Sequence, residues 1–411
     1  MVLRESMLVL LFSAAGACAV AEPMTFQDAL VRAQAGAPNL QAKRLGVDAA
    51  KSASVAAGQL PDPKVAVGLD NFPVSGRSAG KFGPEEMTMA RVGLAQDMPN
   101  GAKRSAQEER AKADIQTAQA EVRGTARDVR LGAGLAWVDL YYARRALNVI
   151  DEAQRRLNPL LDTAPSGVAS GRIRPSEAVE PELWRAQLAD RRSELQAEAA
   201  KAKAQLVRWT GDAEADILGA PVANDIDGNA LRADLDLHPI LGLANADNAR
   251  ADAQVSAARA EARPDWGWDV AYQRRDSRWG DMVSAGVTVS LPLFATRRQD
   301  PVIAARVIDA NRARIEREAS LRELVAQFEG DLADHVMHHE QWTRSVETLV
   351  PLAQRRADFE TSSYAAGSAT LSDVLKAFTD LADAKLVSLQ RETVLSRDTV
   401  RLNLTYGSDM P

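Results

Sequence analysis

The chain repeats itself. The stretch YAAGSATLSDVL, from Tyr364, has a fainter copy in VASGRIRPSEAV, from Val168. Each has a glycine, four intervening residues, then a serine and a carboxylate: Gly171 with Ser176-Glu177, and Gly367 with Ser372-Asp373. About 196 positions separate the two glycines, close to half of the 411 residues. Five further marks recur in the same order. Ala37-Pro38-Asn39-Leu40 matches His238-Pro239-Ile240-Leu241, and Pro61-Asp62 matches Pro264-Asp265. Met98-Pro99 matches Leu291-Pro292, Asp139-Leu140 matches Asp331-Leu332, and Pro159-Leu160 matches Pro351-Leu352. All offsets fall between about 191 and 203 positions. A self-similarity of this kind fixes the architecture before any local reading. The chain is an internal duplication, residues 25–211 and 238–407, joined by a linker at 212–237.

Each repeat follows one plan. An alanine-rich helix comes first, about Phe26 to Gln59 and about Ile240 to Ala262. Two strands follow, recognisable by period-two alternation of apolar with small or polar residues. In the first repeat Val65, Val67 and Leu69 make one apolar face, and Ala90, Val92 and Leu94 another. In the second, Trp266, Trp268, Val270 and Tyr272 are joined by Val283, Ala285, Val287 and Val289. The loops inside these hairpins, Asn71 to Glu86 and Arg274 to Asp281, are rich in glycine and charge, as exposed loops are.

A long helix closes each plan. Val122, Ala126, Val129, Ala133, Ala136, Leu140, Ala143, Leu147 and Ile150 step by four and three. Val325, Phe328, Leu332, His335, His339, Trp342, Val346 and Leu349 answer them. That 3.5-residue period is a coiled-coil seam. Gly101 to Asn158 would form a rod of about 85 Å at 1.5 Å per residue. Each rod ends at a copy of the opening motif, where a helix returns with its own stripe, Leu195, Ala199, Ala202, Leu206 and Trp209. Aromatics are only 5% and charged residues 26% of the chain, which favours close helix packing over a large aromatic core.

The N-terminal residues predict export. Arg4, the apolar run Met7 to Val20 and Ala19-Val20-Ala21 fit a signal peptide over 1–21, in preference to a buried helix. Cleavage after Ala21 would remove Cys18, the only cysteine; acylation of Cys18 is the alternative, with Ala15 where such signals carry leucine. No other stretch is long enough for a membrane helix, so any crossing must be made by strands. A formal net charge of −6 gives no reason to expect nucleic acid, which would call for basic patches.

Four strands cannot close a barrel, and an open edge is not tolerated in lipid. Their apolar faces include two tryptophans and a tyrosine, suited to a membrane interface. Three chains would supply twelve strands, enough to close. The competing expectation is a soluble sheet packed on a helix.

This arrangement resembles the TolC-type outer-membrane efflux family over nearly the whole mature chain. QDALVRAQAGAPNLQA, the turns VGLAQDMPNGAKR and VTVSLPLFATRRQ, and the two tip motifs carry the resemblance, in order and duplicated. It implies a mainly α fold with membrane β: a homotrimer whose twelve-stranded barrel sits in the outer membrane of a Gram-negative bacterium. An α-helical tunnel would continue into the periplasm, with the inter-repeat linker at its equator. The function implied is passive export of small molecules or metal ions in a tripartite system. Its partners would be a periplasmic adaptor (membrane fusion protein) and an inner-membrane pump, with no cofactor. The shortness of the chain and the lack of a long C-terminal tail look more like the heavy-metal branch.

At the tips, Gly171 and Gly367 supply the permissive backbone of a reversal. Ser176 and Ser372 are expected to cap the returning helices, with Glu177 and Asp373 in the first turn, favoured by the helix dipole. The resemblance adds that the exposed Arg172, Pro175, Thr370 and Leu371 meet the adaptor. It also places Asp373 at the tunnel mouth. Three such carboxylates would favour cations, with Glu177 as a second ring. Lys376 stands where the family often has another acid, and could latch onto Asp373 at three-residue spacing. Pro181 is expected to kink the first returning helix or start it late.

His335, His338, His339 and Met337 invite a metal reading, since imidazoles four apart share a helix face. His335 and His339 also lie on the packing stripe, opposite Ala143 and Leu147, and packing or tunnel lining is the preferred expectation. GRSAGKF lacks the spacing and the Ser or Thr of a phosphate loop. No nucleophile-elbow, zinc-protease or dinucleotide fingerprint appears, so no enzyme is expected. A periplasmic coiled-coil adaptor is the alternative from another class, and a secreted hydrolase a more distant one. An adaptor would show one hairpin between two β-rich halves rather than two hairpins.

Overall fold

The computed structural model describes residues 23–169, 177 and 179–407. Residues 1–21, with Cys18, lie outside the described residues, as do Gly171, Arg172, Pro175 and Ser176 of the first tip. The chain forms two units, each drawing on both repeats. One comprises Met1–Gly36, Ala133–Val222 and Arg344–Thr393; the other comprises Ala37–Gly132, Ala223–Thr343 and Val394–Pro411.

The expected first helix is two. α1 spans Phe26–Gly36 and α2 spans Pro38–Ala56, with Ala37 extended between them at φ −69° and ψ 116°. Pro38 causes the break, because its ring excludes the helical conformation from the residue before it. β1 (Lys64–Asp70) and β2 (Met89–Met98) follow, then α3 (Gly101–Ala169). α3 has 69 residues and runs on past the expected end at Asn158. α4 (Glu180–Thr210) returns and ends on Gly211 in the left-handed conformation, φ 73°. The linker holds α5 (Gly228–Asp234), capped by the Asp227 carboxylate on the amides of Asn229 and Ala230. The second repeat supplies α6 (Pro239–Ala260), β3 (Asp265–Arg274), β4 (Met282–Ser290), α7 (Ala295–Arg344), α8 (Val350–Ala365) and α9 (Leu371–Tyr406).

Between α7 and α8, Ser345–Leu349 form a π turn. Pro351 explains it. A proline in a regular helix clashes with the carbonyl four residues back, here Glu347, and the wider turn relieves the clash. The extra residue also rotates the helix face. Val346 and Leu349, expected on the seam, are exposed, and Ser345 is buried in their place.

In the first unit the apolar stripe of α3 is broader than a seam. Val138 and Tyr142 are buried beside Ala133, Ala136 and Leu140, and Trp137 is fully buried. Trp137 meets Phe26 edge-on at 5.8 Å, stacks on Tyr141 at 5.6 Å, and donates its Nε1–H to the Met24 carbonyl at 3.1 Å. The scarcity of aromatics hid this cluster, because its few members are concentrated in one place. Further along, Ile150, Leu195 and Leu386 form one core patch, and Leu157, Leu161, Trp184, Leu371 and Leu375 another.

In the second unit Leu231, Leu235, Leu241, Leu324, Phe328, Leu402 and Tyr406 pack together. His238 caps α6, its Nδ1 accepting the Ile240 amide at 3.2 Å. Burial, reinforced by the Arg127 guanidinium, pushes its pKa down to about 4. The folded state therefore keeps His238 neutral where the unfolded chain binds a proton, so stability is lost as pH falls from about 6.5 towards 4. His335, buried and likewise pushed down by burial, adds in the same direction. Replacing His238 with asparagine, which retains the capping acceptor, is expected to flatten the fall in melting temperature between pH 7 and 4.5. An unchanged slope would refute the assignment.

Candidate functional site

Two places carry function-bearing geometry, one in each unit. In the second unit the four strands form one antiparallel sheet in the order β1-β2-β3-β4. Its registers align the expected apolar residues in rows. Val67 lies opposite Val92, which lies opposite Tyr272, which lies opposite Val283. The next rows are Val65, Leu94, Val270, Ala285 and then Gln96, Trp268, Val287. Strands pleat with period two, so Leu69, Trp266 and Val289 fall on that face as well.

No described helix covers it. Val65, Val67, Leu69, Val92, Leu94, Trp266, Val270, Tyr272, Val283, Val287 and Val289 are all exposed, Val67 at 77%, and Trp268 is half-buried. Full burial of one such side chain is worth roughly 1.5–3 kcal/mol. The helix expected to cover a soluble sheet is not found on this face among the described residues.

The opposite face is small and polar. Lys64 reaches Asp97 at 2.6 Å and Arg91 reaches Asp269 at 3.8 Å. Two glycines keep the second pair flat: a Cβ on Gly93 would lie 3.2 Å from the Ala271 Cβ, and one on Gly286 would lie 2.6 Å from Asp269 Oδ1. Among the described residues each outer strand, β1 and β4, presents an unpaired edge.

In the first unit, α8 reverses into α9. Gly367 takes φ 78°; its amide bonds to the Tyr364 carbonyl at 3.0 Å, and the Ser363 carbonyl accepts the Ser368 amide at 2.9 Å. A Cβ at Gly367 would touch nothing, so Gly367→Ala carries only the left-handed backbone cost, about 1–2 kcal/mol. Thermal unfolding of that variant against wild type checks this; equal stability of the two would contradict it.

The cap is Thr370, not Ser372. Thr370 Oγ1 donates to Asp373 Oδ2 at 2.7 Å and accepts the Asp373 amide at 3.2 Å, while the Thr370 amide also donates to Asp373 Oδ2 at 3.0 Å. This is the reciprocal capping box, with its acid three residues after the cap. Those Thr370 hydrogen bonds hold the Asp373 carboxyl below the usual carboxylate range, and the positive charge of Lys376 adds to the effect. Asp373 is exposed and in the first turn of α9, as expected. Among the described residues no ion pair joins it to Lys376, because Thr370 already holds the carboxylate.

Leu371 is corrected outright. Expected at the surface, it is fully buried among Leu157, Leu161, Trp184 and Leu375. Trp184 anchors this cluster and donates its Nε1–H to Thr379 Oγ1 at 3.1 Å. Ser372 is half-buried, and Thr370 and Gly367 are exposed. At the first tip, Pro181 starts α4 late, at Glu180. Glu177 therefore sits in a turn ahead of the helix rather than in its first turn.

Of the histidines, His335 is buried and His339 exposed, its ring 5.9 Å from that of Trp342. His338 Nδ1 lies 2.6 Å from Asp398 Oδ2. Among the described residues no group of His, Cys, Asp and Glu is placed to hold a metal ion, and no helix is long and apolar enough to cross a membrane.

Residues 231–408 match the family of outer membrane efflux proteins. The sequence matches no curated protein. Among solved structures, the CmeC outer membrane channel of Campylobacter jejuni is similar at a TM-score of 0.74 and 12% identity, covering 93% of this chain and 85% of that one. The outer membrane protein VceC of Vibrio cholerae gives 0.77 and 16%, covering 93% and 96%. The open state of the MtrE outer membrane channel of Neisseria gonorrhoeae gives 0.73 and 14%, covering 93% and 88%. At these identities the likeness establishes the fold.

Proposed function

We propose that this chain is an outer membrane efflux protein, a passive channel that lets small molecules or metal ions out of a Gram-negative periplasm. The exposed apolar face of the sheet, bounded by two free edges, carries the reading. Such a face is at home in lipid, and such edges are satisfied there only by closing. Three copies would close twelve strands around the small, polar face, which would line the lumen. The family match of the second repeat and the fold shared with outer membrane channels support the same conclusion.

The chain then needs no catalytic group. Energy would come from an inner-membrane pump reached through a periplasmic adaptor. The adaptor would meet the exposed tip residues Gly367 and Thr370, with Arg172, Pro175 and neighbouring positions of the first tip. Leu371 supports that surface from beneath. Asp373, ionised and exposed, would form a ring of three carboxylates at the periplasmic mouth, and Glu177 a second.

Cell fractionation and planar-bilayer recording test the reading together. The full chain should be extracted from the outer membrane only with detergent and should conduct. Asp373→Asn should lower the cation-to-anion permeability ratio by about threefold or more, as expected for removing a ring of fixed charge. A wild-type protein that is soluble without detergent would overturn the proposal, and an unchanged ratio would remove Asp373 from the pore.

A further inference from the structure

The registers also lay out the small, polar face of the sheet in rows. Lys64, Ala95, Asp269 and Gly286 share one row, and Ala66, Gly93, Ala271 and Ser284 the next. Gly68, Arg91, Gln273 and Met282 follow, one step closer to the hairpin loops. The middle row carries nothing longer than a serine. Arg91 reaches across it, bringing Nη2 to 3.8 Å from Asp269 Oδ2. A Cβ on Gly93 would lie 3.6 Å from Arg91 Nε, so the arginine stem lies against that glycine. A Cβ on Gly286 would lie 2.6 Å from Asp269 Oδ1, so the carboxylate fills the space that this glycine leaves. Both charges lie along the wall instead of standing out from it.

Stability does not explain the pair. Both side chains are 37% exposed, and Arg91 Nε is buried with no hydrogen-bond partner. An exposed ion pair at such a distance adds little to a fold. Lys64 with Asp97, at 2.6 Å, shows that this face can make a closer one. β4 shows that it needs no charge at all, since Ser284, Gly286, Thr288 and Ser290 are neutral. We propose that Arg91 and Asp269 are specificity-determining residues of the conduit, opposed charges that set the ion selectivity of the barrel by cancelling, with Gly286 positioning the carboxylate against the wall. On the closed-barrel reading above, on which this rests, three such pairs ring the lumen. They act separately from Asp373 at the periplasmic mouth.

Position matters here as much as sign. A fixed charge in a water-filled bore acts on a passing ion over a Debye length, roughly 10 Å at 0.1 M ionic strength. Lying over glycines, the pair leaves the bore wide. With its members 3.8 Å apart, its charges cancel for an ion further off than that separation. The barrel then neither draws nor repels the exported molecule by charge. Removing one partner uncovers the other. Arg91 alone would give a ring of three guanidiniums that favours anions, and Asp269 alone a ring of three carboxylates that favours cations. Gly286→Ala works through geometry, because its methyl displaces the Asp269 carboxylate from the wall. That side chain is short and rotatable, so it yields by turning into the bore and away from Arg91.

Planar-bilayer recording of the full chain tests this, in a potassium chloride gradient near about 0.1 M, where the charges are little screened. Asp269→Asn should lower the cation-to-anion permeability ratio about threefold, and Arg91→Gln should raise it about threefold, as expected for uncovering a ring of fixed charge. The double variant Arg91→Gln/Asp269→Asn should return to the wild-type ratio. Arg91→Lys, which keeps the charge, should also hold that ratio. Gly286→Ala changes no charge and should raise the ratio by a smaller factor; an unchanged ratio would remove Gly286 from the proposal. Asp269→Ser serves if Asp269→Asn folds poorly. Single variants that conduct with the wild-type ratio, or a double variant that fails to restore it, would overturn the role of the pair and leave the channel reading standing. A wild-type protein that forms no channel would overturn both.

Discussion

Val270→Arg is expected to keep the protein out of the outer membrane. Val270 stands mid-strand on β3, between Leu94 and Ala285 in one apolar row, and it is exposed. Arginine on the lipid face of a barrel costs about 2–4 kcal/mol at the bilayer midplane. Three copies would raise that to roughly 6–12 kcal/mol for one assembly, more than a marginally stable fold tolerates. Gln273→Arg, on the opposite face three residues further on, adds the same charge where the lumen would be and should insert normally. The fraction of each variant in detergent-extracted outer membrane separates the cases. Equal insertion of the two would mean that the apolar face does not meet lipid.

Trp137→Ala should give the largest loss of stability in the first unit. The ring is fully buried, stacked on Tyr141 and met edge-on by Phe26. Truncating a buried aromatic residue costs about 3–5 kcal/mol. The Nε1–H bond to Met24 adds about 1 kcal/mol. Trp137→Phe keeps most of the apolar contact and loses that hydrogen bond, so it should cost about 1–2 kcal/mol. Denaturant unfolding of both variants gives the order, and a Trp137→Ala variant as stable as wild type would show that the cluster does not hold the unit.

What could be read in advance followed from periodic chemistry. Alternation in Val65-Ala66-Val67 and its fellows located four strands, because a half-buried pleat requires it. The duplication told which strands belong together, and of the two outcomes Pro181 allowed, a kink or a late start, α4 shows the late start. Local competition hid the rest. Thr370 and Ser372 are both good capping residues; Thr370 wins because Asp373, three residues on, completes the box. Leu371 looked exposed from its place beside a turn, but the first turn of a helix can already face a core, and Trp184 of the other repeat supplies one. The π turn left only a proline as its signal, and Pro159, the matching proline in α3, sits within continuous helix. Trp137 lies beside the seam rather than on it. A strict 3.5-residue stripe therefore passed over the largest fully buried side chain among the described residues.

Mass measurement of the full-length protein purified in detergent addresses the account most directly. Three polypeptides per particle are expected, with dissociation to aggregates when the amphiphile is withdrawn. A single folded polypeptide, dispersed in plain buffer, would contradict it.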